Sequence, residues 1–202
     1  MKYWIRLLML ASVPVILFAI IGYLLPHGFS ISTQTLIAAS PEDVYAQIDT
    51  LPEWKTWSNF DPDKFKDLKI EFGEDGTSQT WSDGRGNGKL WFVDQVPNEK
   101  ISYRMRYGNF PEIDSTILLE QEDGKTKVSL SSEGMLPPSP FYGFFRGLYS
   151  KGMTAQYQRS LQQLKEKIEG PANAKPDAAE KPQGAEAAPS AEAAEKPVQT
   201  EE

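Results

Sequence analysis

Apolar and polar positions alternate through the middle of this chain, then change period near its end. Phe29, Ile31, Thr33, Thr35 and Ile37 fall on every second residue, which predicts a half-buried strand over Phe29 to Ala38. Ser40-Pro41-Glu42-Asp43 then predicts a helix start. A serine caps, proline suits the first turn, and acids favour the positive end. That short helix presents Val44, Tyr45 and Ile48 and stops at Leu51-Pro52, with a further turn over Glu53 to Trp57. Strands follow over Phe65 to Phe72, Thr77 to Ser82, Lys89 to Val96, Lys100 to Tyr107, Ile113 to Gln121 and Thr126 to Gly134. Asp75-Gly76, Gly84 to Gly88, Pro97-Asn98 and Asp123-Gly124 supply turns. The phase is clearest in Ile101, Tyr103, Met105 and Tyr107, with Ser102, Arg104 and Arg106 between them.

The spacing then lengthens to three and four residues. Phe141, Phe144, Phe145 and Leu148, then Tyr157, Leu161, Leu164 and Ile168, predict one long amphipathic helix over Pro140 to Ile168 with these residues on one face. Ser139-Pro140 starts it and Gly170-Pro171 ends it. The gaps between strands are too short for the crossover helices of a parallel sheet. An antiparallel sheet that curves around such a helix leaves a gap between the two. An apolar, aromatic gap is a site for a hydrophobic ligand.

Both ends differ from this middle. Leu7 to Leu25 carries no charged residue, and its 19 positions span about 28 Å as a helix, close to a bilayer hydrocarbon core. Lys2 and Arg6 precede it and the next basic residue is Lys55, so the N-terminus is expected in the cytoplasm and the domain outside. Trp4 and Tyr23 fall near the two interfaces, and Pro14 bends such a helix without breaking it. A cleaved signal peptide fits less well, because no small-residue site follows Tyr23. The other end, Gly170 to Glu202, is Ala, Glu, Pro and Lys with five prolines and no aromatic residue, which predicts a disordered tail. The expected organisation is an anchor over 1–28, a domain over 29–169 and a tail over 170–202.

Composition narrows the chemistry. The 202-residue chain has a formal charge of −7, which argues against a nucleic-acid partner. It has no Cys, so neither a disulfide framework nor a thiolate metal site is possible, and no lipid can be attached to a cysteine. His27, the one histidine, falls at the membrane boundary, which disfavours a Ser-His-acid triad. Zinc seldom accepts a site built mostly from carboxylates, so no metal or cofactor is expected. Asp75, Asp83 and Asp123 read as turn formers, and Glu133 is out of phase with Val128 and Leu130. No catalytic set is expected. The candidates for lining the gap are aromatic: Trp57, Trp81, Trp91, Tyr103 and Tyr107 from the sheet, and Phe141, Phe144, Phe145 and Leu148 from the helix or its entrance. Core packing explains each of these equally well. Arg104 and Arg106 read as a solvated strand face. Gly143, Gly147 and Gly152 predict that the first turns of the last helix are separate or mobile, as a portal.

Several stretches resemble one family. Ala38-Ala39-Ser40-Pro41-Glu42-Asp43-Val44-Tyr45 and Leu51-Pro52-Glu53-Trp54-Lys55-Thr56-Trp57 resemble the opening of SRPBCC proteins, the START-like, Bet v 1-like helix-grip domains of polyketide cyclase/dehydrase and lipid-transport type. Trp81, Gly86-Asn87-Gly88, Val96-Pro97-Asn98-Glu99-Lys100-Ile101, Gly124-Lys125-Thr126-Lys127-Val128 and the last helix extend the resemblance over residues 29 to 169. Leu25-Pro26 is similar to the end of the membrane segment in anchored members. The resemblance implies an α+β helix-grip fold: a curved antiparallel sheet of six to seven strands around a long C-terminal helix, here preceded by one transmembrane helix. It also implies a cavity for lipids, sterols or polyketides, and it carries over no catalytic residues. The expected function is membrane-tethered binding of a hydrophobic small molecule or lipid, in a single-pass protein of the cytoplasmic membrane with its domain on the outer side. The competing expectations are a cyclase- or dehydratase-like enzyme and a cavity-less protein-interaction module.

Overall fold

The computed structural model describes residues 2–58 and 67–170, without the side chains of residue 2 and residues 4–11. The expected tail from Pro171 on, the start of the strand expected from Phe65, and the flanking Lys2, Trp4 and Arg6 side chains lie outside the described residues. The elements run α1 (Lys2–Leu24), β1 (Gly28–Ile37), α2 (Pro41–Tyr45), α3 (Leu51–Trp54), β2 (Lys69–Phe72), β3 (Ser78–Ser82), β4 (Asn87–Val96), β5 (Lys100–Tyr107), β6 (Ile113–Glu122), β7 (Lys125–Met135) and α4 (Pro140–Glu169). Among the described residues, no helix is long and apolar enough to cross a membrane.

The seven strands form one sheet in the order β1-β7-β6-β5-β4-β3-β2, and every neighbouring pair is antiparallel. Hairpins explain most of this order, and β1 then closes against β7 over ten paired positions. Asn98 (φ 64°) and Asp123 (φ 48°) take left-handed backbone at the β4–β5 and β6–β7 turns, which Asn and Asp tolerate better than most residues. A register shift between Phe92 and Asp94 marks a bulge in β4. It leaves Val93 exposed and lets Gln95 donate from Nε2 to the carbonyl of Asp49 at 3.0 Å. The sheet is therefore joined to the chain just before α3.

The core is the inward face of this sheet closed by α2, α3 and α4. Ile37, Val44, Ile48, Leu51, Leu90, Ile101, Ile117, Val128, Leu161 and Leu164 are essentially inaccessible. In α2, Ser40 accepts from the Asp43 N–H as the N-cap. At α4, Ser139 sits at the cap position without a side-chain bond, so the following proline carries the start alone.

α4 is a single unbroken helix of 30 residues, so its first turns are not set apart from the rest. The expected single apolar face is corrected by the structure. Phe141, Phe144, Phe145 and Leu148 are exposed, whereas Tyr157, Leu161 and Leu164 are buried and Tyr142, Tyr149, Met153 and Ile168 pack beside them. The reason is helical arithmetic. Leu148 and Tyr157 are nine residues apart, about two and a half turns, which puts them on opposite sides.

Both ends of α4 are fastened. At its start, His27 Nε2 lies 3.0 Å from the Ser139 carbonyl, the Leu136 N–H donates to the His27 carbonyl, and Arg146 donates to the Gly28 carbonyl at 3.0 Å. At its end, the Glu169 carboxylate accepts from the Ala38 N–H, and Lys167 reaches Glu53 at 3.0 Å. The start also meets α1. Phe18 stacks on Phe144 with ring centroids 4.4 Å apart. A Cβ added at Gly22 would collide with Pro140, and one at Gly143 with the Gly22 carbonyl, so the two backbones touch because both residues lack side chains.

Candidate functional site

The sheet register brings a row of small polar residues into an apolar interior. Phe92 pairs with Tyr103, Tyr103 with Ser115, Ser115 with Ser132, and Ser132 with Ile31. Residues paired across antiparallel strands share a face, so this row crosses five strands under α4. Ser115 Oγ and Ser132 Oγ are 2.5 Å apart, and Ser132 Oγ is 2.9 Å from the hydroxyl of Tyr157, which comes down from α4. The Tyr103 hydroxyl belongs to the same group, hydrogen bonding with Ser115, Ser132 and Tyr157. All four residues are buried.

Burial first, and the adjacent Tyr157 second, hold the Tyr103 pKa well above its ordinary value. Tyr103 is therefore a neutral hydroxyl at any physiological pH. A raised pKa means the folded state favours the protonated form. The stabilisation it brings is fully present below the unfolded tyrosine pKa of about 10 and is lost as pH rises beyond it. Urea midpoints measured at pH 9 and pH 11 should fall with pH, and Tyr103→Phe should flatten that fall. An unchanged slope would mean that Tyr103 does not titrate as described.

Aromatic and apolar side chains surround the row. Trp54 stands edge-on to Tyr103 at 5.1 Å and tilts against Trp57 and Phe92 at 5.1 and 5.5 Å. Its Nε1 donates to the Ile48 carbonyl, and that of Trp57 to the Gln47 carbonyl. One row along the strands, Gln79 pairs with Phe72 on one side and Leu90 on the other. Gln79 is 1% exposed, and among the described residues its Nε2 has no hydrogen-bond partner. An unpaired buried amide is costly, about 1–3 kcal/mol, so its retention needs a reason.

The predicted lining residues separate into three groups. Trp57, Trp81 and Tyr103 are buried on the inner side. The Trp81 indole lies over Gly88, where any Cβ would collide with the ring, so glycine makes room for tryptophan. Tyr107 faces the same end, in register with Gly88, but its hydroxyl donates to both Asp83 carboxylate oxygens at 2.9 and 3.0 Å. Trp91 is not brought to the interior. It follows the buried Leu90, so the pleat turns it outward, beside Lys89, whose Nζ lies 5.4 Å from the ring. Phe141, Phe144, Phe145 and Leu148 lie on the face of α4 turned from the sheet, for the reason given above. Pattern reasoning missed Ser115, Ser132, Gln79 and Trp54. The serines carried a signal nonetheless: Ser115 occupies the inward phase between Ile113 and Ile117, and Ser132 follows Val128 and Leu130 in it, where a polar side chain needs a partner.

Most charged groups lie outside, although Lys165 on α4 is buried. Arg104 binds Asp114 at 2.7 Å and Glu112 at 3.3 Å, and Arg106 approaches Glu112 at 3.7 Å, all on the solvent face. Asp75 and Asp83 act as turn formers, accepting from the N–H groups of Thr77 and of Arg85 and Gly86. The Arg85 N–H foremost, then the Tyr107 hydroxyl, hold the Asp83 pKa below the usual carboxylate value. Exposed Glu133 accepts from Ser30. No group of three or more His, Asp or Glu among the described residues could hold a metal ion.

Chemically, the row offers hydroxyls that both donate and accept within an uncharged, apolar setting. That suits the single oxygen of an otherwise apolar molecule.

Comparison with known proteins agrees with this architecture. Residues 28–169 match the family described as polyketide cyclase / dehydrase and lipid transport. No curated protein matches the chain significantly. Among solved structures, CV1439 of Chromobacterium violaceum is 18% identical with a TM-score of 0.51, covering 69% of this chain and 96% of its own. XoxI of Bacillus cereus is 16% identical with a TM-score of 0.53, covering 69% and 95%. TTHA0849 of Thermus thermophilus is 21% identical with a TM-score of 0.51, covering 69% and 96%. At these identities the likeness establishes the shared fold.

Proposed function

The chain belongs to the polyketide cyclase/dehydrase and lipid transport family, and from that premise we propose that it binds a hydrophobic molecule bearing one neutral hydrogen-bonding group, between the sheet and α4. The observation that carries this reading is the buried hydroxyl row of Tyr103, Ser115, Ser132 and Tyr157 within an apolar interior. The unpartnered Gln79 amide supports it, as a second donor waiting for an acceptor. We propose further that Leu7 to Leu25 tethers the domain to the cytoplasmic membrane, N-terminus inside and domain outside. The support is the absence of charge in that run and the placement of Lys2 and Arg6 before it. Only three residues separate α1 from β1, so the domain would lie against the headgroups. Such a short leash favours local capture or hand-off over shuttling across a wide gap.

A cyclase- or dehydratase-like reaction needs a group to take up a proton. The hydroxyl row of Tyr103, Ser115, Ser132 and Tyr157 contains no carboxylate, histidine or lysine, so binding is the better-supported reading. Native mass spectrometry of the detergent-purified full-length protein tests it. A defined apolar adduct is expected. Removing one hydrogen bond from its polar group with Tyr103→Phe should weaken retention by about tenfold, or about 1.4 kcal/mol. A protein free of any adduct would support the closed interaction module instead.

A further inference from the structure

We propose that the exposed face at the start of α4 is a lipid-facing wedge, inserted in the bilayer beside α1. This deepens, and rests on, the reading of α1 as a membrane tether. Phe141, Phe144, Phe145 and Leu148 are 57%, 40%, 41% and 69% exposed, and Met135 just before α4 is 60% exposed. Four large apolar side chains on two turns of one helix form a patch that water does not favour. Phe141 and Phe145 stack at 4.4 Å, so the patch is one surface. It is also uncharged. Arg146, the charged residue within these turns, is directed at the Gly28 carbonyl on the sheet side, and the next is Lys151.

Continuity with α1 identifies what covers this patch. Phe144 stacks on Phe18, and the Gly22 and Gly143 backbones touch, so the face prolongs the exposed apolar surface of Val15, Ile16, Phe18 and Ile21. Depth follows from the same contact. Phe18 lies seven residues before Leu25, the end of the uncharged run, which is about 10 Å along a helix. If Leu25 sits at the outer boundary of the hydrocarbon, Phe144 sits below it. A water-facing patch at that position is geometrically inconsistent with a spanning α1. The occupant is the acyl region of the outer leaflet, and the two helices enter it together.

The absence of cysteine makes the test direct. Full-length Val15→Cys, Phe145→Cys, Leu148→Cys and Asp123→Cys proteins are labelled with an environment-sensitive nitrobenzoxadiazole group. Each is reconstituted in phosphatidylcholine–phosphatidylglycerol vesicles. Two exposed positions in α4 are used so that one misfolded variant does not decide the outcome. The expected result is blue-shifted emission at 15, 145 and 148, lost on adding spin-labelled lipid and insensitive to iodide, with the opposite at 123. Lipid quenching at 15 with iodide quenching at 145 and 148 overturns the wedge and leaves the tether intact. Iodide quenching at 15, 145 and 148 alike, with release of the protein from vesicles at alkaline pH, overturns the tether and the wedge with it. Protection of 145 and 148 from both quenchers would show a second copy of the chain on the patch, and would also overturn the wedge.

Discussion

Trp54→Ala is expected to lower the unfolding free energy by about 3–5 kcal/mol, the range for removing a buried aromatic side chain. Trp54 is 3% exposed and touches Trp57, Phe92 and Tyr103. It joins α3 to the bulged strand β4 and to the hydroxyl row, so the void has three neighbours that cannot all move into it. The Ile48 carbonyl also loses its indole donor. Urea denaturation of the full-length protein in detergent measures the effect. A loss under 1 kcal/mol would mean that the aromatic group relaxes freely and does not hold α3 to the sheet.

Ser132→Val is expected to cost about 1–3 kcal/mol, because the swap removes a partner and leaves buried oxygens unmatched. Ser132 Oγ lies between Ser115 and Tyr157, so both hydroxyls lose a bond. Adding Tyr157→Phe removes one of those orphans. The double variant should be less destabilised than the sum of the two single ones, by about 0.5 kcal/mol or more. Strict additivity would dissolve the row into independent polar residues. The same variants separate structure from binding. If Ser132→Val abolishes a co-purifying adduct while Trp54→Ala at reduced temperature retains it, the hydroxyls act on the ligand and not only on the fold.

The strands were legible because alternation survives in them. Ile101, Tyr103 and Met105 read inward against Ser102, Arg104 and Arg106, and the structure keeps that phase. Two things escaped pattern reading. One was α4, where apolar residues lie on both sides and the nine-residue step from Leu148 to Tyr157 carries the chain from one side to the other. Hydrophobicity alone does not distinguish a face covered by a sheet from one left exposed. The second was the hydroxyl row. Ser115 and Ser132 are 17 positions apart, and only the β6–β7 register makes them neighbours. Trp91 shows the converse error, since its size suggested burial while its parity in β4 placed it outside.

Because α4 is held at Ser139 and Arg146 on one end and at Lys167 and Glu169 on the other, it behaves as a bolted crossbeam and not as a hinged door. Swinging it away would break fastenings at two distant places at once. For a ligand held as proposed, traffic would instead pass around the beam, through the side where the four-residue edge strand β2 and the short helix α3 meet, with the Leu51 N–H donating to the Gly76 carbonyl. Cross-linking α4 to β1 at both ends would then leave loading rates unchanged, whereas stapling β2 to α3 would slow them.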